Sequence, residues 1–288
     1  MKHAYLILAH QDFDVLKLLL DALDDTRNDI FVHFDKKVKC LPILSVGRAK
    51  LYFIENRINV AWGDVSVVEA EFALFEAAAS RGEYQYYHLL SGVDFPLKSQ
   101  DEIHKFFRNN KGKEFVGFYQ GDCREEVARK VQRIHLYPKK FRSRNIFYKI
   151  VRALFLRLQF FIGYRKNSEI LFKKGTQWGS YTQEFVRFLL EEKKKVLRIY
   201  NNTFCSDEIY KQTLCWNSRF KPTVFSIENE ARGAMRLISW KGGEMLSWTL
   251  EDYDLLVKSD LIFARKFSTE NIDIVKKLSH FIREGSAS

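Results

Sequence analysis

Short apolar runs alternate with amphipathic stretches through the first hundred residues, and few architectures accept that alternation. Ala4–Ala9 is a continuous apolar run, read as a strand buried on both faces. Asp12 stands as the N-cap of a helix reaching Leu23. Ile30–Phe34 and Lys50–Ile54 read as the second and third strands. Ser66–Ala79 reads as a helix, with Ser66 and Glu69 in capping-box spacing. Tyr86–Leu90 follows as a buried strand, Gly92–Pro96 as a turn, and Ser99 as the cap of a helix through Phe107. Strand and helix in this succession imply an α/β fold, a mainly parallel sheet with helices on both faces. Ligands on such sheets sit beyond the carboxyl ends of the strands. His10, Asp35 and Asp94 each fall just past a strand end, which directs them toward one crevice.

The second half continues with Glu114–Tyr119 as a strand, Gly175–Tyr181, a helix Gln183–Lys193, and a polar turn Asn201–Asp207 leading into a helix near Glu208. A strand near Met235–Trp240, a helix Leu250–Lys258, the segment Leu261–Phe267 and a terminal helix Glu270–Ile282 complete the reading. No repeat, low-complexity tract or linker divides the 288 residues, so one domain, 1–288, with an insert at about 127–168 is expected.

That insert holds most of the charge. Val127–Ser168 contains twelve Lys and Arg and no Asp or Glu, while the whole chain is +11, leaving the remainder near neutral. Within it, Ile146, Phe147, Ile150, Val151, Leu154, Phe155, Leu158, Phe161 and Ile162 recur at helical spacing. An apolar stripe beside a cationic face fits a helix lying on an anionic membrane or gripping an anionic, lipid-linked substrate. It fits equally a helix packed on the core with a solvated basic side. Confinement of the charge to one apolar-rich helix, with no zinc-finger, RRM or helix-turn-helix signature, argues against a nucleic-acid partner. Lys149, Arg152 and Arg157 interrupt the run, so it does not span a bilayer. Four scattered cysteines without a C-x-x-C pair, and six apolar residues at the start where a signal sequence needs more, lead to the expectation of a cytoplasmic protein, peripheral at most to the inner membrane face.

Most catalytic motifs are missing. There is no G-x-G-x-x-G, no Walker loop, no G-x-S-x-G elbow and no H-E-x-x-H. Asp12-Phe13-Asp14 and Asp252-Tyr253-Asp254 match Asp-x-Asp, but both open helices, where aspartate serves as a cap. The strand-end position that a metal ligand needs reads His33-Phe34-Asp35, with a single carboxylate, so no metal is expected. Ser206-Asp207-Glu208 is either dipole complementarity at a helix start or the seat of a general base. Arg265-Lys266, between aromatics in Phe263-Ala264-Arg265-Lys266-Phe267, is either solvated surface or a diphosphate clamp that takes a metal's place.

Several segments together resemble the core-2/I-branching glycosyltransferase family, which includes branching β-1,6-N-acetylglucosaminyltransferases and peptide O-xylosyltransferases. They are Ala4–His10, His33–Lys37, Val60-Ala61-Trp62-Gly63 with Ser66 and Val68–Glu71, and His88–Lys98 with its Ser91-Gly92-Val93-Asp94-Phe95-Pro96 core. Gly175–Trp178, Ser206–Glu208, Arg236–Trp240 and Phe263–Phe267 follow in family order. The resemblance implies a GT-A type nucleotide-sandwich fold and inverting transfer from a UDP-sugar to a glycan acceptor, with no cofactor and no divalent metal. UDP-N-acetylglucosamine is the first expected donor and UDP-xylose the second. Carried over by position, Glu208 matches the catalytic base, and Arg265 and Lys266 match the cations that stabilise departing UDP. His10, Asp35, Asn59, Trp62 and Asp94 match nucleotide- and donor-binding positions, and Trp178 and Asp207 the acceptor side. Two departures stand out: Ser239 replaces a common aspartate, and Glu244-Met245-Leu246 replaces a His-Pro after Gly242-Gly243. The animal enzymes' anchor and disulfide cysteines have no counterpart, which leads to the expectation of a bacterial-type member in surface-polysaccharide synthesis with a free or lipid-diphosphate-linked acceptor. The competing class is a non-catalytic sugar- or lipid-binding protein on the same scaffold.

Overall fold

The protein is described by a computed structural model over residues 2–284. In chain order the elements are β1 (His3–Ala9), α1 (Phe13–Leu23), β2 (Asn28–Phe34), β3 (Lys50–Phe53), α2 (Ser66–Ala79), β4 (Tyr86–Ser91), β5 (Asp94–Pro96), α3 (Gln100–Asn109) and β6 (Phe115–Val116). Then come α4 (Arg124–Val131), α5 (Ile146–Phe161), β7 (Gly179–Thr182), α6 (Gln183–Tyr200) and α7 (Tyr210–Trp216). The last third holds α8 (Glu230–Ala234), β8 (Arg236–Ile238), β9 (Trp240–Lys241), β10 (Glu244–Met245), α9 (Tyr253–Lys258), β11 (Phe263–Arg265) and α10 (Ile272–Glu284).

The main sheet has the order β3-β2-β1-β4-β7-β6. Strands β1 to β4 are parallel, and β7 runs antiparallel to both β4 and β6. The order reverses between β1 and β4, which opens a crevice at their carboxyl ends. A smaller sheet, β5-β11-β8, sets Arg265 opposite Asp94. Both faces of the main sheet are covered, and β1 shows why its sequence is apolar throughout. Tyr5, Ile7 and Ala9 enter a core with α1, α3 and α10, while Ala4 and Leu6 enter another with α2, α6 and α7. This is the α/β architecture expected from the strand–helix alternation.

Local expectations fared unevenly. Ser99 does cap α3 in a full capping box with Glu102. Asp12 occupies the cap position of α1 in a left-handed conformation without capping it, because its carboxylate accepts from Thr269 N instead. Ser66 lies inside α2, and its hydroxyl accepts from Ala61 N, so no capping box forms there. Residues 94–96, read as part of a turn, form β5 because β11 supplies their backbone partners. Of 114–119, only Phe115 and Val116 form a strand. Asp252 accepts from Thr249 N and Oγ1 in a capping box, the structural role expected of it.

Three histidines sit inside the first core. His3 and His88 face each other through ring nitrogens 3.0 Å apart, and His104 stacks on His3 with centroids 4.0 Å apart. Burial holds all three pKa values down, that of His104 to about 4.

The sequence leaves the facing of helix α5 open. Its apolar stripe does not pack on the core: Ile146, Phe147, Ile150, Leu154, Leu158 and Phe161 are exposed, and Gln159 is the buried residue.

Candidate active site

The end of β2 anchors the first part of the crevice. His33 Nε2 accepts from Ile58 N at 2.8 Å, and Ile58 O accepts from Lys36 N at 2.9 Å, so the strand end holds the 55–60 segment in place. Asp35, nearly buried, accepts from Lys37 N at 2.9 Å and pairs with Lys37 Nζ at 3.0 Å. Lys37 Nζ also donates to Val60 O. His10 and Asp35 then line one cavity of about 320 Å³ together with Lys37 and Lys39. Asn59 and Trp62, on the same pinned segment, are both exposed.

Asp94 does not share that cavity. It is fully buried, accepts from Ser91 N at 3.0 Å, and faces Arg265 Nε at 3.4 Å. That contact is ionic without being a hydrogen bond, since neither Asp94 Oδ1 nor Arg265 Nε has a hydrogen-bond partner. Burial pushes the Asp94 carboxyl up and the Arg265 guanidinium down, and each charge opposes the other's shift. The Arg265 guanidinium lies over the Trp178 ring at 4.2 Å. Where an open ring for an acceptor was expected, Trp178 is buried with one face covered by this cation, because β11 brings Arg265 directly above it. Lys266 is half-buried and has no ion-pair partner among the described residues. The Glu244-Met245-Leu246 departure lies close by: Leu246 N donates to Ser239 O, and Ser239 N to Arg265 O.

Residues 206–208 form a short 3-10 turn, and the helix expected near Glu208 begins two residues later as α7. Two glycines let the chain approach that turn. Gly63 O accepts from Cys205 N at 2.8 Å, and a Cβ on Gly63 would lie 2.5 Å from the Phe204 ring. Gly175 N donates to Glu208 O at 2.9 Å, and a Cβ on Gly175 would lie 1.8 Å from Gly117 O. No residue but glycine fits at 175. Three residues on, at most about 10 Å of chain, is Trp178 beneath Arg265. One short segment therefore ties the Glu208 backbone to the Arg265 side chain.

Glu208 itself is 38 % exposed and its Oε2 accepts from Lys130 Nζ at 3.3 Å. Lys130 also pairs with Glu126 at 2.7 Å, and Lys174 Nζ reaches the same Glu126 oxygen at 2.8 Å. Beneath the turn lies a second network, around the fully buried Glu71 of α2. Its carboxylate accepts from Lys211 Nζ, Tyr210 OH and, at 2.8 Å, Gln177 Nε2. Lys211 Nζ also donates to Asp207 O at 3.4 Å. Burial, then Glu208 and Glu71, push the Asp207 carboxyl up, and its Oδ1 has no hydrogen-bond partner. An adjoining cavity of about 250 Å³ is lined by Trp62, Arg129, Lys130, His135, Phe141, Arg152, Leu156 and Phe204. It joins Trp62 to the lysine that holds Glu208.

The structure thus groups His10 with Asp35, Asp94 with Arg265 and Trp178, and Glu208 with Asp207 above the Glu71 platform. Lys130, Glu126, Lys174 and Lys211 were not singled out by sequence. Lys130 belongs to the acid-free segment, and Glu208 is 78 residues away, so spacing carries no trace of that pair. Among the described residues, no group of three or more His, Cys, Asp or Glu is placed to hold a metal ion.

The family model of the Core-2/I-Branching enzyme matches residues 3–255. A human N-acetyllactosaminide β-1,6-N-acetylglucosaminyl-transferase is 23 % identical over 294 residues, covering 92 % of this chain and 67 % of that protein. Its mouse counterpart by name is 24 % identical over 295 residues, covering 92 % and 68 %. Among solved structures, the apo form of mouse xyloside xylosyltransferase 1 matches with a TM-score of 0.35 and 11 % identity, over 93 % of this chain and 99 % of that one.

Proposed function

The chain belongs to the Core-2/I-branching enzyme family, and from that premise we propose an inverting, metal-independent glycosyltransferase that moves N-acetylglucosamine from its UDP-sugar to a hydroxyl of a glycan acceptor. UDP-xylose is the second candidate donor. One observation carries the reading: the Gly175–Trp178 segment links the Glu208 turn to Arg265, so a candidate base and a candidate cation belong to one framework.

In this mechanism Glu208 takes the proton of the acceptor hydroxyl as its oxygen bonds to the anomeric carbon. The bond from that carbon to the β-phosphate oxygen breaks on the opposite face, and the negative charge passes to UDP. Arg265, held by Asp94 and Trp178, and Lys266, without a competing carboxylate among the described residues, stabilise that charge where a metal would otherwise act. Lys130 orients Glu208 from the side, and the Glu71 platform holds the turn from below.

UDP release from a panel of UDP-sugars, with and without glycan acceptors and in excess EDTA, tests donor and mechanism together. Turnover that EDTA abolishes and manganese restores would overturn the metal-free reading. Glu208→Gln is expected to bind UDP normally and to transfer about 10²–10⁴ times more slowly; transfer at the wild-type rate would remove Glu208 from the mechanism.

A further inference from the structure

Helix α5 turns most of its large apolar side chains outward. At 3.6 residues per turn, Ile146, Ile150, Leu154 and Phe161 share a side with Phe147 and Leu158, and this side faces away from the fold. Phe161 is 90 % exposed, Ile146 64 % and Leu154 58 %. The inward side mixes the half-buried Val151, Phe155 and Leu156 with the polar Arg152 and Gln159. Gln159 donates to Ile134 O and accepts from Ile134 N, both at 2.8 Å, which fastens the helix like a rung of a ladder. Arg152 lies over Phe141 at 4.8 Å, and Phe160 carries Arg133 at 4.5 Å. Water is the wrong solvent for the outward face. Six large apolar side chains on one helix form a contiguous apolar row, and such patches on soluble proteins mark a contact.

Charge selects the occupant. Exposed Arg157 stands within the apolar row and Lys149 at its edge, with exposed Lys139, Lys140 and Arg144 leading into the helix. No carboxylate occurs between residues 127 and 168. A second copy seated face to face would set these cations against each other. Sixteen residues give a rod of about 24 Å, and no helix among the described residues is long and apolar enough to cross a membrane. An apolar face with cations in and around it, too short to span, has the composition of a helix lying in an interface.

We propose that the outward face of α5 docks the enzyme on an anionic lipid bilayer, with Phe161, Leu154 and Ile150 entering the acyl boundary and Lys149 and Arg157 meeting the headgroups. The opposite side of the same helix contributes Arg152 and Leu156 to the cavity that includes Lys130. Docking would therefore hold that cavity behind the helix, one helix diameter (~10 Å) from the membrane surface.

Co-sedimentation of the full chain with phosphatidylcholine vesicles, with and without phosphatidylglycerol, tests this. Binding is expected to need phosphatidylglycerol and to fall as salt rises. Lys149→Glu/Arg157→Glu should weaken it at least about 30-fold, about fivefold for each cation lost. Leu154→Ser/Phe161→Ser should weaken it at least about 100-fold, about tenfold for each large apolar side chain lost. Because all four positions are exposed, unchanged thermal melting and unchanged UDP release are expected and separate this proposal from the catalytic one. No sedimentation with anionic vesicles, equal binding to neutral ones, or binding unaffected by either double variant overturns it. A wild-type dimer that Leu154→Ser/Phe161→Ser converts to monomer would assign the face to a second copy instead.

Discussion

Lys211→Met isolates the buried platform under the 206–208 turn. Lys211 and Glu71 are both 0 % exposed, and methionine matches the length of the lysine stem without its charge. The substitution leaves the Glu71 carboxylate with Tyr210 OH and Gln177 Nε2 as donors but no counter-charge. Breaking a buried pair by removing one member costs about 3–5 kcal/mol. At about 2.1 cal/mol/K per residue, unfolding 288 residues carries an entropy of about 0.6 kcal/mol/K. The expected fall in Tm is therefore about 5–8 °C. Removing both charges in Glu71→Gln/Lys211→Met should restore most of that loss, because replacing a whole buried pair is often neutral. Differential scanning calorimetry reads both outcomes. A single variant within about 1 °C of wild type, or a double variant as unstable as the single, would refute the argument that the ion pair stabilises the turn from beneath.

Two more outcomes follow. Lys266→Ala should weaken UDP binding about 10- to 100-fold, the scale of a hydrogen bond to a charged group; an unchanged Kd by isothermal titration calorimetry would count against the clamp. His104 titrates near 6.5 when unfolded and at about 4 when folded, so the unfolded state takes the proton first as pH falls. Its contribution is present above pH 6.5 and lost as pH falls toward 4, about 3 kcal/mol at most; His3 and His88 act in the same direction. Glu114, raised to about 7 by burial, works the opposite way, losing its contribution between 4.5 and 7 as pH rises. Wild-type Tm should thus fall more steeply than that of His104→Gln between about pH 6.5 and 4, and parallel curves would contradict the assignment.

What was legible in the sequence was what short-range pattern encodes. Continuous apolar runs gave β1, β2 and β4, and from these came the parallel sheet and the strand-end positions of His10 and Asp35. Ser99 and Glu102 are three residues apart, so their capping box was readable too, although only the Ser99 half was anticipated. Features set by distant partners were not readable. Three residues cannot announce a strand, and β5 exists because β11 pairs with it. Asp12 and Ser66 resemble caps in sequence, but their side chains serve Thr269 and Ala61. The period of α5 was correct while its facing was open, since spacing identifies a stripe and cannot say whether the stripe turns inward. The same limit hid the Lys130–Glu208 and Lys211–Glu71 pairs, whose members lie in different elements of the fold.

The Lys130–Glu208 contact makes the cationic segment electrically continuous with the proposed base. Lobe exchange between relatives is then a transplant of a circuit element: a donor segment lacking an equivalent of Lys130 would leave Glu126 and Glu208 facing each other without their shared neutralising wire. Chimeras must carry both ends of that connection.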